Sequence, residues 1–197
     1  MSQFPFIGLT GGIGAGKSTA LDAFARLGAA VLSTDQVVHG LYEGGDVRDA
    51  VVERFGGSVA PNGVVDRGAL ARVAFGDSED RAWLEALLWP RVGEEMAGWK
   101  ERVQAASPPP RAGVVEVPLL FEAGLEDAFD ATVAVIAGAD VSRERAASRG
   151  HESLEARTAR QLSQTDKARR ATYAVTNDGT VAQLEEKLSA ILDMLHG

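Results

Sequence analysis

The chain has 197 residues and no cysteine. Disulfides, thiolate metal sites and cysteine nucleophiles are thereby excluded. Histidine is almost as scarce. His39, His151 and His196 are scattered, and no H-x-x-x-H or Ser-His-Asp arrangement appears. Positive charge is in deficit, with 20 Lys and Arg against 28 Asp and Glu and a net charge of −8. That balance argues against nucleic acid as the main partner. No apolar run approaches the ~20 residues of a membrane span. The opening Met1-Ser2-Gln3-Phe4-Pro5 lacks a basic segment and runs straight into an apolar one, so no signal peptide, no membrane and a cytoplasmic location are expected. No Asn-Lys-x-Asp occurs, which argues against a guanine-specific GTPase. Low complexity is confined to Pro108-Pro109-Pro110, and there is no internal repeat.

What the chain does have is glycine in one telling place. Gly11-Gly12-Ile13-Gly14-Ala15-Gly16-Lys17-Ser18 matches G-x-x-x-x-G-K-[ST], the phosphate-binding P-loop. Phe6-Ile7-Gly8-Leu9 before it reads as a buried strand. Residues 17–27 after it read as a helix, with Ala20, Leu21, Phe24 and Leu27 on one face and Gly28 as the stop. Glycines let successive backbone N–H groups face one anion, and the helix N-terminus adds partial positive charge. Lys17 can reach the β- and γ-phosphates of a bound triphosphate, and the Ser18 hydroxyl can ligate Mg²⁺. The expected metal is therefore Mg²⁺ held by phosphates and Ser18, not a transition ion in a protein cage.

Five apolar runs, around 5–9, 29–32, 113–117, 131–136 and 173–176, lack alternation and read as parallel strands covered on both faces. Helical stretches separate them, which predicts an α/β class with a doubly wound five-stranded parallel sheet. The last helix opens on a capping box, Thr180 with Gln183. Its stripe is Val181, Leu184, Leu188, Ile191, Leu192 and Leu195. The gap from 36 to 111 is too long for one crossover helix. It holds helical patterns at 47–55, 67–75 and 79–104 and reads as an inserted helical lobe ended by the proline run. The expected core is therefore 1–35, 112–138 and 171–197.

Charge is uneven. Residues 143–170 hold eight Arg and Lys, including Arg145, Arg149 and Arg160, against four acids. The segment either neutralises polyphosphate or forms a solvated helix surface. Asp35 directly follows the second strand, at the sheet edge where ligands bind in open α/β sheets. It is either a carboxylate that takes a proton from an acceptor hydroxyl or the N-cap of a helix starting near Gln36. Glu116, at the end of the third strand, either holds water on Mg²⁺ or is an acid at a wet strand end. Pro118-Leu119-Leu120-Phe121 either walls a substrate pocket or packs as a core crossover.

The motifs in order narrow this further. The opening Gly8-Leu9-Thr10-Gly11-Gly12-Ile13-Gly14-Ala15-Gly16-Lys17-Ser18-Thr19 resembles that of the dephospho-coenzyme A kinase family. So do Phe55-Gly56, Gly63-x-x-Asp66-Arg67-x-x-Leu70, Val73-x-Phe75 and Leu84-Glu85 with Pro90. Pro118-Leu119-Leu120-Phe121-Glu122, Arg145-x-x-x-Arg149, Arg160-x-x-x-Gln164 and Asn177-x-Gly179 follow in order. Three departures stand out. Ser33-Thr34-Asp35 replaces Asp-Ala-Asp, Trp89-Pro90 replaces His-Pro, and Glu116 replaces an Asp.

The resemblance implies phosphoryl transfer from ATP, with Mg²⁺, to the ribose 3′-hydroxyl of dephospho-coenzyme A. It implies Asp35 as base, with Lys17 and Arg145 acting on the transferring group. Gly12, Gly14, Ala15, Gly16, Lys17, Ser18, Thr19, Arg149 and Asn177 would bind ATP, Asn177 near its adenine. Asp35, Leu119, Leu120 and Glu122 would meet the acceptor. Residues 36–111 would be the acceptor-binding lobe, and 139–170 a helical lid that excludes water. Partners are then the two small molecules alone, in a monomer or weak homo-oligomer. Two rivals are a nucleoside monophosphate kinase and a nucleotide-switched regulatory ATPase without an acceptor.

Overall fold

The computed structural model describes residues 4–74, 76–147 and 161–196. Phe75, Arg149, His151, Arg157, Arg160 and the middle of the expected lid lie outside them. Five strands form one parallel sheet: β1 (Phe6–Gly11), β2 (Ala30–Ser33), β3 (Gly113–Glu116), β4 (Ala131–Ile136) and β5 (Tyr173–Thr176). Their order is β2-β3-β1-β4-β5. The chain leaves β1 toward one edge and later crosses it to build the other edge, so the winding reverses beside β1. Ligands of open α/β sheets bind at such a switch point, beyond the carboxyl ends of the strands. In register, Leu9 lies beside Glu116, Glu116 beside Ser33, and Gly11 beside Val135. The ends of β2 and β3 are therefore level, and β1 runs two residues further, to Gly11.

The central strands β1, β3 and β4 are buried almost throughout, as apolar runs without alternation demand. The edge strands are not. β5 exposes Ala174 and Thr176, and β2 is fully buried only at Ser33. An edge strand has a neighbour on one side only, which two-sided burial in the sequence pattern does not reveal.

Helix α1 (Lys17–Arg26) packs its Ala20, Leu21, Ala23 and Phe24 onto one face of the sheet, against Ile7, Leu9, Val114 and Val135. It ends in a Schellman arrangement. Ala29 N–H donates to the Phe24 carbonyl and Gly28 N–H to that of Ala25, with Gly28 at φ +89°. The carboxyl-terminal helix of the described residues, Val181–His196, adds Leu184, Leu188, Ile191 and Leu192 to the same core. Its capping box forms, with Thr180 N–H on Gln183 Oε1 at 3.0 Å and Gln183 N–H on Thr180 Oγ1 at 3.3 Å. Val181, expected in its apolar stripe, is exposed, and the buried stripe starts a turn later at Leu184.

Residues 34–101 form a second compact unit with its own core. Helices α2 (Thr34–Glu43), α3 (Gly45–Phe55), α4 (Arg67–Ala74) and most of α5 (Ser78–Gln104) bury Tyr42, Val47, Val51, Leu70, Leu84 and Leu88 together. The unit begins at 34 and ends at 101, against the expected 36 and 111. No linker separates β2 from α2, and the proline run lies beyond the end of α5. Asp66 caps α4, accepting from Gly68 and Ala69 N–H at 2.8 and 2.9 Å. These bonds hold its carboxyl below the usual range. Pro90 sits inside α5 without ending it. One residue on, the Arg91 guanidinium donates to the Leu87 carbonyl at 2.8 Å and also pairs with Asp46. None of the described helices is long and apolar enough to cross a membrane.

Candidate active site

The loop between β1 and α1 carries the P-loop glycines, and the structure shows why small residues are required there. Gly14 and Gly16 adopt φ of +74° and +91°, which L-residues with side chains rarely tolerate. Close approach imposes the same choice. A Cβ on Gly12 would lie 2.6 Å from Gln164 Cγ, one on Gly14 would lie 2.1 Å from the Ser142 carbonyl oxygen, and one on Gly16 would lie 2.2 Å from Asn177 Nδ2. Three separate segments thus press on three alternate glycines. Gly16 caps α1, so the loop N–H groups and the helix N-terminus share one end. Lys17 opens α1, and its Nζ donates to the Gly11 and Gly12 carbonyls at 3.1 Å each. Ser18 and Thr19 follow in the first turn of α1, with Ser18 exposed.

Two of the pressing segments carry charge or polarity to the site. Helix α6 (Ala139–Ala147) follows β4, and its Arg145 Nη1 donates to the Asn177 carbonyl at 2.9 Å. The same nitrogen lies 3.7 Å from the Cβ position of Gly16. The expected lid arginine is therefore beside the loop. Asn177 directly follows β5 and is buried. Its amide donates to the Ala15 carbonyl at 2.9 Å, so its side chain braces the loop from below. Arg149, the other expected arginine, lies outside the described residues.

Lys167 emerges with no sequence signal beyond its place in a basic segment. It lies in α7 (Gln164–Arg170) and is fully buried. Its Nζ donates to Pro118 O at 2.6 Å and Thr10 Oγ1 at 3.3 Å, and pairs with Glu122 at 3.0 Å. Burial pushes its pKa down, with the Glu122 carboxylate opposing. Glu122 also accepts from Leu162 N–H at 2.8 Å. Glu122, expected at the acceptor, thus has its carboxylate engaged by Lys167 and Leu162. Leu120, also expected at the acceptor, packs inward. It is wholly buried, with Cδ1 at 2.5 Å from the Cβ position of Gly8, and is part of the core. Leu119 remains half-buried.

Asp35 lies two residues past β2 and is exposed. Helix α2 starts at Thr34, so Asp35 occupies its first turn and is not the N-cap of a helix starting near Gln36. The β-strand runs directly into the helix, leaving no free capping residue between them. Glu116 is buried at the end of β3, beside Ser33 in register. Among the described residues no cluster of three or more His, Asp or Glu side chains could cage a metal ion. The exposed Ser18 hydroxyl at the loop's end is a hard oxygen donor of the kind Mg²⁺ takes alongside phosphate oxygens.

A parallel sheet wound about β1, a P-loop at its carboxyl edge and an arginine helix against that loop define a P-loop nucleotide-binding protein. The chain belongs to the dephospho-CoA kinase family, whose model matches residues 5–183. It is 40% identical over 192 residues to the dephospho-CoA kinase of Deinococcus radiodurans, covering 96% of this chain and 91% of that protein. Among solved structures, TT1252 from Thermus thermophilus is similar with a TM-score of 0.80 and 32% identity, covering 100% of both chains. A dephospho-CoA kinase from Campylobacter jejuni shares the fold with a TM-score of 0.65 at 21% identity over 98% of each chain. The family's reaction is ATP-dependent phosphorylation of dephospho-CoA in coenzyme A biosynthesis, and the chain is a phosphotransferase of that kind.

Proposed function

We propose that the transfer to the ribose 3′-hydroxyl is carried out by Asp35, Lys17 and Arg145, on ATP held by Gly12, Gly14, Ala15, Gly16, Lys17, Ser18 and Thr19. The observation that carries this reading is the Arg145 guanidinium beside Gly16 of the phosphate loop. Two fixed cations, Lys17 and Arg145, then flank one anion site, where charge spreads over the transferring group. Lys17 exchanges its two loop carbonyls for phosphate oxygens. Ser18 would hold Mg²⁺, which neutralises charge on the phosphates when bound. Asn177 keeps Ala15 and Gly16 in the anion-binding shape and borders the nucleotide through them. Asp35 takes the hydroxyl proton of the acceptor. Residues 34–101 hold dephospho-CoA, and α6 supplies Arg145 to the nucleotide. The protein works in the cytoplasm as a monomer or weak homo-oligomer.

Asp35→Asn tests the base directly. Asn cannot accept the proton, so kcat is expected to fall roughly 10²–10⁴-fold. Nucleotide affinity, read by fluorescent-analogue titration, should persist. Loss of a first-turn acid costs no more than about 1 kcal/mol through the helix dipole, so the fold should stand. Normal turnover in this variant would place the base elsewhere.

A further inference from the structure

We infer that Gln164 is a positioning residue for phosphoryl transfer: it holds the start of α6 against the phosphate loop and so sets Arg145 over Gly16. The inference rests on the reading of Arg145 given above. The Gln164 amide is used at both ends. Its Oε1 accepts from Ala137 N–H at 2.8 Å, just past β4, and its Nε2 donates to Ser142 Oγ at 3.2 Å, inside α6. Ser142 Oγ is itself 3.4 Å from the Ala137 carbonyl, so the three residues close a ring across the β4–α6 turn. The stem of Gln164 lies on Gly12 and the Ser142 carbonyl lies on Gly14. One side chain therefore touches the loop and fixes the helix segment that touches it next. Arg145 is three residues beyond Ser142, one turn along α6, and reaches the third glycine.

The anchor of Gln164 is equally defined. It opens α7, whose N-cap Ser163 accepts from Asp166 N–H at 3.1 Å. Three residues on, the buried Lys167 ties the same helix face to Thr10, immediately before Gly11. A side chain with both amide atoms engaged and its helix pinned has little freedom to relax. Asp178 holds the adjacent Gly138 N–H at 2.6 Å, so the turn before α6 stays ordered without Gln164, and its loss releases Ser142 and Arg145 rather than the fold.

Kinetics with ATP and dephospho-CoA test this on Gln164→Ala, Gln164→Met, Arg145→Ala and the Gln164→Ala/Arg145→Ala pair, with circular dichroism as the check on folding. Met keeps the packing on Gly12 and loses both hydrogen bonds. Both Gln164 variants should lose roughly 10- to 100-fold in kcat, the scale of a misplaced group, while KM for ATP moves less than about threefold. In the Arg145→Ala background the Gln164 change should cost less than about twofold more, because both act through one group. Full activity of Gln164→Met, or penalties that simply multiply while Arg145→Ala is impaired, overturns the inference alone. A near-normal Arg145→Ala overturns the reading beneath it. Should both Gln164 variants unfold, Ser142→Ala carries the same test from the other end of the bond. It should show a kcat loss that vanishes in the Arg145→Ala background, and unchanged kcat would contradict the inference.

Discussion

Two lysines in this chain show how far one residue type can diverge by environment. Lys17 is half-buried and bonded to two carbonyls that a phosphate can replace. Lys17→Ala should lower kcat on the order of 10²–10³-fold, the effect of removing one preorganised charge stabiliser. Steady-state turnover decides it, and activity within about threefold of the parent would sink the loop's assigned role. Lys167 is wholly buried, with Glu122, Thr10 and Pro118 around its ammonium. Removing one partner of a buried pair strands the other, so Lys167→Met should cost about 3–5 kcal/mol in urea unfolding. Adding Glu122→Gln should recover part of that. The pH dependence follows from the lowered pKa of Lys167. The folded protein releases this proton more readily than the unfolded chain, so the unfolded state binds more protons in that window. On this group's account stability rises as pH climbs through the folded value and levels off near the ordinary ~10.4. Unfolding curves from neutral to alkaline pH should show that rise in the parent and not in Lys167→Met.

At the scale of elements, much was legible because local chemistry and the fold agree. The strand at 6–11, the glycine loop and the helix at 17–26 each carry their own signal, and the Thr180–Gln183 box marks a helix start that forms as written. Thr180→Ala should therefore cost about 1 kcal/mol of stability by thermal unfolding while leaving kcat unchanged. The α2 start was less legible. Thr34 continues from β2 without a break, so Asp35, which the sequence leaves open as a base or as the cap of a helix near Gln36, is a first-turn residue in the fold. The orientation of Leu120 and Glu122 was illegible for a related reason. Sequence shows a Pro-Leu-Leu-Phe-Glu run, but only the position of Gly8 and Lys167 decides which way each side chain turns. The triple contact of Gln164, Ser142 and Asn177 with alternate P-loop glycines has no local signature, because its members come from three separate segments.

For the whole molecule, the acidic balance of −8 and the basic stretch at 143–170 describe different surfaces. Part of that stretch, Arg145 and Lys167, serves the phosphate loop's surroundings, while Arg143 and Arg169 lie exposed in short-range pairs with Asp140 and Asp166. Two cores, one on the sheet and one in residues 34–101, let a single chain carry a nucleotide-binding layer and a separate helical unit. A kinase and a nucleotide-switched ATPase could share everything in the first unit, and only the fate of the acceptor separates them. The decisive measurement follows the protein with ATP, Mg²⁺ and dephospho-CoA, quantifying ADP and resolving the acceptor product by mass and ³¹P NMR. The account predicts one ADP for each dephospho-CoA converted, the new phosphate on the ribose 3′-oxygen, and negligible ADP without the acceptor. ADP released at the same rate with the acceptor absent, or a phosphate on another atom, would contradict it.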